Sequence, residues 1–267
     1  MGLLTGGERM FAQSVRPPAL PGCQVACITH RGTRAENQDR YGVWGTDAAV
    51  LLVLADGMGG HARGEVAAEL AVAAVGECFA SLARPRLADP GRFLLQAFGE
   101  AQQRVLGCGA ELGLDENDQP RTTLVGAVIQ EGRIWWAHCG DSRFYVARDG
   151  ALLARTRDHS YVELRDVLSD DAGVVGDGLS RSVLFSCIGS PGRPLIDTGG
   201  PLRMDDHDTV LLCSDGLWDG LSDLDILHQM TGQPVADALA SLASLALATS
   251  GARCDNITGV ALGAAPG

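Results

Sequence analysis

Two apolar segments that each lead into Asp-Gly constrain the fold of this chain most strongly. The first is a run of Ala, Val and Leu over residues 49–55, followed directly by Asp56-Gly57. The second covers residues 209–213 and continues through Ser214 into Asp215-Gly216. Continuous apolar runs of this length are typical of strands buried on both faces. The pattern predicts a sheet core that delivers carboxylates to one edge.

The rest of the chain predicts an α+β protein in which helices lie outside antiparallel sheets. Helical periodicity over residues 64–83 and 91–112 gives way to a period of two, and residues 123–155 predict one four-stranded meander. A regular βαβ alternation is absent, which favours separate layers of helix and sheet. Further predicted strands are 24–29, 40–44, 50–55, 209–213 and 256–262, and further predicted helices are 158–167, 222–230 and 235–248.

Composition limits the kinds of molecule that the protein is expected to bind and the cellular compartment in which it is expected to lie. The net charge of −12 argues against binding to nucleic acid or to an anionic membrane, because both need clustered Lys and Arg. The eight cysteines are irregularly spaced and mostly lie in apolar runs, which predicts free thiols in a reducing cytoplasm. The N-terminal sequence lacks a secretory h-region, so we expect a cytoplasmic protein.

The clearest chemical pattern is a set of aspartates in turns. Acids that converge without a cation repel one another and raise one another's pKa. A hard divalent ion removes that penalty, and an all-oxygen ligand set suits Mg²⁺ or Mn²⁺. Asp-Gly is also the commonest turn signal, so the residues alone leave ligand and ordinary turn open. The aspartates are Asp39, Asp56, Asp141, Asp215, Asp219 and Asp255.

Seven motifs decide between these interpretations, because they occur in the order and spacing of one family. They are residues 30–39 (His-Arg-Gly-Thr-Arg-Ala-Glu-Asn-Gln-Asp), 56–60 (Asp-Gly-Met-Gly-Gly), 122–124 (Thr-Thr-Leu), 140–143 (Gly-Asp-Ser-Arg), 158–160 (Asp-His-Ser), 214–219 (Ser-Asp-Gly-Leu-Trp-Asp) and 255–258 (Asp-Asn-Ile-Thr). The chain resembles the bacterial form of the protein phosphatase 2C family of metal-dependent Ser/Thr phosphatases. The resemblance spans roughly residues 24–262, so we expect a flexible leader over residues 1–21 and one phosphatase catalytic domain over residues 22–267.

The resemblance implies a four-layer α-β-β-α sandwich with a two-metal centre between its two antiparallel sheets. In the family pattern Asp56 bridges both ions, Asp215 and Asp255 bind one of them, and the Gly57 carbonyl helps to bind the other. Asp39 would hold the site as a ligand or through a metal-bound water. The resemblance thus implies that two ions, Mn²⁺ or Mg²⁺, serve as cofactors.

The resemblance also implies roles around the two ions. Asp141 and Asp219 match positions that bind a weaker third ion in bacterial relatives. Arg34 falls where the family places its phosphate-binding arginine, and with Asp56, Asp215 and Asp255 it completes the expected catalytic set. Asn256 is expected to orient Asp255, although a plain turn residue is an alternative.

Two positions depart from the wider family. Met58 occupies the position at which animal relatives carry His, a candidate general acid, and a thioether has no proton to donate. His61 or a metal-bound water is the alternative donor, although His61 also suits a helix-capping or surface role. Gln38 stands where some members have a second acid, which makes the expected water shell neutral there.

The expected activity is hydrolysis of phosphoserine and phosphothreonine in proteins by a metal-activated hydroxide, without a covalent enzyme intermediate. The expected partners are phosphorylated proteins and bacterial Ser/Thr kinases, and we expect a monomer. One alternative is a phosphoprotein-binding pseudophosphatase, which would need a damaged set of aspartates. A nucleotide-binding glycine loop is disfavoured because neither Gly-x-Gly-x-x-Gly nor a Walker lysine follows Asp56.

Overall fold

The computed structural model describes residues 2–6, 9–58, 63–115, 118–169 and 183–265. Within them the chain forms strands and helices in an α+β arrangement. The strands are β1 Gly2–Gly6, β2 Arg9–Val15, β3 Cys23–His30, β4 Asp39–Gly45, β5 Ala49–Asp56, β6 Leu124–Gln130, β7 Arg133–Cys139, β8 Arg143–Arg148, β9 Ala151–Arg155, β10 Asp197–Arg203, β11 Asp208–Cys213 and β12 Ile257–Ala264. The helices are α1 Gly64–Leu82, α2 Pro90–Glu111, α3 Tyr161–Ser169, α4 Asp215–Trp218, α5 Asp223–Met230 and α6 Val235–Ser250.

The strands form two six-stranded sheets that pack face to face. The first sheet has the order β1-β4-β5-β6-β7-β10 and the second has the order β2-β3-β12-β11-β8-β9. All pairings between neighbouring strands are antiparallel. One apolar cluster fills the space between the sheets, a second lies under α1 and α2, and a third lies under α4, α5 and α6. The predicted four-layer α-β-β-α sandwich is confirmed.

Strand β5 shows why the first segment is apolar throughout. Val50, Leu52 and Leu54 point into the space between the sheets, and Leu51 and Val53 point toward the helices of the first sheet. All five side chains are fully buried. Since both faces of the strand are covered, no position along it tolerates a polar residue until the strand reaches its edge.

Helix starts follow local capping chemistry. The Asp89 side chain accepts a hydrogen bond from the backbone N–H of Arg92 at 3.0 Å, and Pro90 occupies the first position of α2. Ser222 and Asp225 form a reciprocal capping box at the start of α5. The two helices were predicted to begin at residues 91 and 222, and each begins within one residue of its predicted start.

Helix α6 is rich in Ala and Leu. By length and composition alone, the segment Val235–Arg253 could cross a membrane, with a mean hydropathy of 1.4. In the fold it buries one face, which includes Leu239, Leu242 and Ala246, against the second sheet. An apolar helix that covers a sheet has the same composition, so the segment is accounted for by the core.

The chain path differs from the sequence-based expectation at three places. The segment predicted as a flexible leader, residues 1–21, includes β1 and β2, which are edge strands of the two sheets. Edge strands are held by backbone hydrogen bonds along one side, so they need little apolar alternation. Strand β10 was not predicted, because Gly199 and Gly200 interrupt its pattern and it too lies at an edge.

The predicted four-stranded meander is wrong because it is divided between the two sheets. Strands β6 and β7 pair in the first sheet, whereas β8 and β9 pair in the second. The chain therefore crosses from one sheet to the other at residues 140–142, which carry Asp141 to the edge of the sandwich. All eight cysteines lie in described residues and are free thiols, as predicted.

Candidate metal centre

The aspartates predicted from the sequence converge at one edge of the sandwich. Asp39 and Asp56 are direct cross-strand partners on β4 and β5. Asp215 opens α4 just beyond β11, and Asp255 lies two residues before β12, which pairs with β11. A cavity of about 470 Å³ opens at this edge, and its lining includes Arg34, Asp56, Gly57, Asp141, Asp215 and Asp255.

Among the described residues that line this cavity, only Arg34 at the rim carries a positive charge that could compensate the carboxylates. Burial raises the pKa of Asp56 well above its ordinary value, and the charges of Asp39, Asp215 and Asp141 raise it further. Burial also raises the pKa of Asp141 well above its ordinary value, with Asp215 as the next cause. The cluster therefore resists full ionisation unless a cation enters it.

Asp39 provides a direct test of whether a cation fits. Its side chain is 1% exposed, and one oxygen, Oδ2, accepts a hydrogen bond from the Ser214 hydroxyl at 2.8 Å. The other oxygen, Oδ1, is buried without a hydrogen-bond partner among the described residues. Burial raises the pKa of Asp39 to about 7 despite hydrogen bonds from Thr258 and Ser214 that lower it. An unsatisfied buried carboxylate oxygen beside other acids fits a divalent ion.

Gly57 occupies a position that admits no side chain. A Cβ at this residue would lie 2.8 Å from the backbone oxygen of Gln38 and closer still to the backbone carbonyl of Gly64. The Gly57 N–H donates to the same Gln38 oxygen at 3.2 Å, which anchors the turn after β5. Glycine is therefore required for the turn that presents this backbone beside Asp56.

Asn256 holds the loop that carries Arg34 against the acids. Its side-chain amide donates to the backbone oxygens of Arg31 at 2.8 Å and Glu36 at 3.0 Å, and its Oδ1 accepts from the Gln38 N–H at 2.8 Å. Its own backbone N–H donates to Asp255 Oδ1 at 2.8 Å. The predicted role in orienting Asp255 is therefore joined by a second one, which is to fix the loop over residues 31–38.

Arg34 lies at the rim of the cavity. Its guanidinium Nη2 is 2.5 Å from Asp255 Oδ2, and the two side chains are 57% and 36% exposed. A guanidinium in this position faces solvent on one side and the acids on the other. It can exchange its carboxylate partner for an incoming anion without unfolding its loop, because an exposed ion pair stabilises the fold by only ~0–1 kcal/mol.

Three hydroxyl groups without a predicted role fix the residues Asp56 and Asp141 in place. The Asp56 N–H donates to Thr123 Oγ1 at 3.0 Å, and the Asp56 carbonyl accepts from the Thr122 hydroxyl at 2.8 Å. Thr123 Oγ1 lies 2.6 Å from Ser142 Oγ in the crossover next to Asp141. The Thr122-Thr123 motif was part of the resemblance, but only the register of β5 against this loop reveals its function.

The two residues predicted to hold a third ion do not share the described cavity. Asp141 lines the large cavity, whereas Asp219 is exposed and lines a smaller neighbouring cavity of about 250 Å³ with Arg143 and Asp158. Asp219 is still linked to the first cavity, because its N–H donates to the Asp215 carbonyl at 2.8 Å and its charge helps to raise the pKa of Asp215 to about 6, after burial and Asp255. The third-ion site stays a prediction, and His61 lies outside the described residues.

The fold and the cavity define a carboxylate-lined, metal-binding α-β-β-α sandwich, and comparison with known families gives its class. The chain belongs to the protein phosphatase 2C family, whose family model matches residues 28–250.

Several bacterial phosphatases are similar to it. The Mycobacterium tuberculosis serine/threonine protein phosphatase PstP is 35% identical over 243 residues, which cover 88% of this chain and 44% of that protein. The Listeria innocua serine/threonine phosphatase stp is 32% identical over 195 residues, which cover 71% of this chain and 75% of that protein. The chain thus spans less than half the length of the mycobacterial relative.

Solved structures of bacterial serine/threonine phosphatases have a fold similar to that of this chain. The crystal structure of the M. tuberculosis phosphatase has a TM-score of 0.74 at 31% identity and covers 91% of this chain and 99% of that one. The catalytic domain of PstP, solved in complex with two manganese ions, has a TM-score of 0.72 at 30% identity and covers 91% and 99% of the respective chains.

Proposed function

We propose that this chain is a Mn²⁺- or Mg²⁺-dependent protein phosphatase that hydrolyses phosphoserine and phosphothreonine in proteins. The observation that carries the proposal is the convergence of Asp39, Asp56, Asp215 and Asp255 at one edge of a protein phosphatase 2C fold, without enough positive charge to balance them. A mycobacterial relative with the same fold was solved with two manganese ions, which supports the choice of metal.

The family resemblance assigns the residues that would hold two ions, and the cavity lining supports most of that assignment. Asp56 would contact both ions, Asp215 and Asp255 one of them, and the Gly57 carbonyl the other, and Asp39 would hold the site as a ligand or through a metal-bound water. When bound, two divalent ions lower the pKa of water and stabilise the charge that develops on the attacking and leaving oxygens. The chain's part is to fix these carboxylates, which the hydrogen bonds to Asp56 and Asp39 do.

Arg34 is suited to binding the phosphoryl group of the substrate. A guanidinium presents two parallel N–H donors that match two phosphate oxygens. Its exposed position at the rim lets it meet a phosphorylated side chain of a protein at the mouth of the cavity. Because its pair with Asp255 is exposed, Arg34 would be available to the substrate when a cation holds Asp255.

Proton transfer to the departing serine or threonine oxygen is not assigned to a described side chain. Met58 lines the cavity, but its thioether has no proton to donate. We propose that the proton comes from water or from His61, three residues further along the chain. This choice leaves the rest of the proposal unchanged, because an alcohol leaving group can also be protonated by water.

The proposed setting is signalling by reversible phosphorylation. The substrates would be phosphorylated proteins, and the opposing enzymes would be bacterial Ser/Thr kinases. We further propose a monomeric, cytoplasmic enzyme. A phosphoprotein-binding pseudophosphatase is disfavoured because all the core aspartates are present and converge.

The deciding experiment is phosphate release from a phosphothreonine peptide by the purified chain with Mn²⁺, Mg²⁺ or a chelator. We expect release with either metal and none with the chelator. Asp47→Asn is a matched control, because Asp47 is an exposed acid in the turn between β4 and β5, away from the cavity. Peptide binding with no phosphate release under any metal condition would overturn the proposal and favour the pseudophosphatase.

A further inference from the structure

A second cluster of metal-ligating groups lies outside the carboxylate cavity. His138 on β7 is the direct cross-strand partner of Asp197 on β10, and His159 follows β9. One ring nitrogen of each histidine and one carboxylate oxygen of Asp197 all lie within 4.8 Å of one another. None of these three residues lines the 470 Å³ cavity. This trio therefore differs in both place and chemistry from the all-oxygen centre.

His138 carries a lone pair that nothing in the described structure uses. Its Nε2 lies 2.7 Å from the backbone oxygen of Arg157, and because a carbonyl only accepts, Nε2 carries the proton. The other nitrogen, Nδ1, is buried without a hydrogen-bond partner among the described residues, in a side chain that is only 3% exposed. Histidines that bind metals usually donate their second nitrogen to a backbone carbonyl in this way.

His159 and Asp197 lie against each other in the same cluster. The Gly140 N–H donates to His159 Nδ1 at 3.2 Å, which leaves Nε2 facing Asp197 Oδ2 at 3.3 Å. The His159 side chain is 3% exposed whereas that of Asp197 is 53% exposed, so the carboxylate opens the cluster to solvent. Burial lowers the pKa of both rings, that of His138 to about 4, which keeps them neutral near pH 7.

We propose that His138, His159 and Asp197 form a binding site for a borderline divalent ion of the Zn²⁺ class, separate from the Mn²⁺ or Mg²⁺ centre. Two neutral imidazoles and one carboxylate, with a position left for water, make a common ligand set for zinc. Imidazole ligands also favour Zn²⁺ or Co²⁺ over Mg²⁺, which prefers oxygen and retains its water. The two centres would therefore select different metals within one chain.

Occupancy of this site would act on the crossover that carries Asp141. An ion on His159 Nε2 displaces the proton from that nitrogen, and the neutral ring regains one proton at Nδ1, so no net proton is lost. Nδ1 then becomes a donor that faces the Gly140 N–H donor, and the bond between them is lost. Gly140 directly precedes Asp141, so the ion would loosen one wall of the catalytic cavity. This consequence, unlike the binding itself, rests on the proposed function.

The test is a titration of the purified full chain with Co²⁺ in excess Mg²⁺, followed by visible absorption. Excess Mg²⁺ holds the oxygen centre, and nitrogen-ligated Co²⁺ of low coordination number absorbs far more strongly than octahedral Co²⁺. We expect one equivalent of strongly absorbing Co²⁺, with affinity at least about tenfold weaker in Asp197→Asn and His138→Gln and unchanged in Asp47→Asn. Because Asp197 is exposed, Asp197→Asn should fold normally.

The outcome separates this site from the catalytic one. In Asp56→Asn, which changes the oxygen centre alone, the strong absorption should persist with the same midpoint. Absence of strong bands in the unmodified chain would overturn the proposal. So would bands that survive unchanged in both Asp197→Asn and His138→Gln, or bands that disappear in Asp56→Asn, since either result places the Co²⁺ elsewhere. None of these readouts depends on phosphatase activity.

Discussion

Two polar clusters lie side by side at the edge of this sandwich, and their charges are balanced in opposite ways. The Arg143 guanidinium donates two hydrogen bonds to Asp158, at 2.8 and 2.7 Å, and both side chains are less than 10% exposed. The same guanidinium stacks on Trp218 at 3.4 Å from the ring centroid. The described lining of the neighbouring carboxylate cavity contains at least four acids, and there only the exposed Arg34 balances them.

The difference indicates which cluster is structural and which one binds a ligand. In the first cluster Arg143 compensates the buried charge of Asp158, so the pair can hold neighbouring residues in a fixed position. That support is direct, because Trp218 Nε1 donates to the backbone oxygen of Asp141 at 3.1 Å. Where the described acids outnumber the described cations, a bound ion is needed to supply the missing positive charge. The carboxylate cavity is therefore suited to bind a metal ion, which would supply the missing positive charge.

The strongest test of this contrast is Asp56→Asn. Removing one charge from the shared position should lower phosphate release with Mn²⁺ by about a thousandfold or more, since two-metal stabilisation of developing charge is worth several kcal/mol. The same change should raise the melting temperature in chelator, because it removes one of the mutually repelling acids. Activity assays and thermal melts of the same sample measure both effects.

The expected loss of activity together with a gain in melting temperature distinguishes a lost metal ligand from misfolding. A variant that simply misfolds loses activity and stability together, whereas a lost metal ligand lowers the first and raises the second. Near-normal turnover in Asp56→Asn would contradict the bridging role. Asp47→Asn should change neither quantity, because Asp47 is exposed in a turn away from the cavity.

The compensated cluster should respond in another way. Arg143→Met leaves the Asp158 carboxylate buried without its partner, so we expect a loss of about 3–5 kcal/mol in the free energy of unfolding, measured by denaturant titration. The double variant Arg143→Met, Asp158→Leu should recover most of the loss, because it removes the stranded charge as well. Arg86→Ala, which breaks an exposed pair with Glu131, should cost less than about 1 kcal/mol. Equal losses in the two single variants would contradict the contrast.

The pH dependence of stability should expose the uncompensated acids. Without metal, the pKa of Asp39 is raised from 3.8 to about 7 and that of Asp215 to about 6, burial being the first cause in each case. The folded chain then retains protons that the unfolded chain releases, so its stability is greatest at low pH and falls as the pH rises through this window. In chelator we expect the melting temperature to fall by about 5 °C or more between about pH 5 and pH 8.

Adding Mn²⁺ should reverse that trend, since the ion binds the ionised acids and stabilises the fold most at the higher pH. Asp39→Asn should flatten the curve recorded in chelator, because it removes the group with the higher pKa of the two. Thermal melts across the pH series, with and without metal, measure both changes. A melting temperature that rises with pH in chelator would show that these acids are compensated within the chain.

The sequence predicted best those elements whose burial is visible in their own residue pattern. The run ending at Asp56 predicts a strand buried on both faces, and β5 is one. Helical periodicity predicts α1 and α2 within two residues at each end. The convergence of the aspartates needed the family resemblance as well, because Asp39, Asp215 and Asp255 lie far apart along the chain.

The sequence did not predict which residues or strands pair when they lie far apart along the chain. Arg143 and Asp158 are 15 residues apart, and nothing in either motif indicates that they meet rather than face solvent. The crossing between the sheets at residues 140–142 reads as an ordinary hairpin turn, and the edge strands β1, β2 and β10 have no strong apolar period. These features are set by tertiary packing and by backbone hydrogen bonds, which a local pattern does not encode.

The smallest effect should come from Arg34, the cation that the described cavity lining places beside the acids. Arg34→Ala breaks an exposed pair with Asp255, so the free energy of unfolding should change by less than about 1 kcal/mol. The KM for a phosphopeptide with Mn²⁺ should rise about ten- to a hundredfold, since charge-assisted hydrogen bonds contribute about 1.5–3 kcal/mol each. Arg34→Lys should recover only part of this loss, because an ammonium cannot bind two phosphate oxygens as a planar fork does. If KM stayed unchanged in Arg34→Ala, the arginine would serve only to neutralise Asp255, and the carboxylate cavity would resemble its compensated neighbour more than we propose.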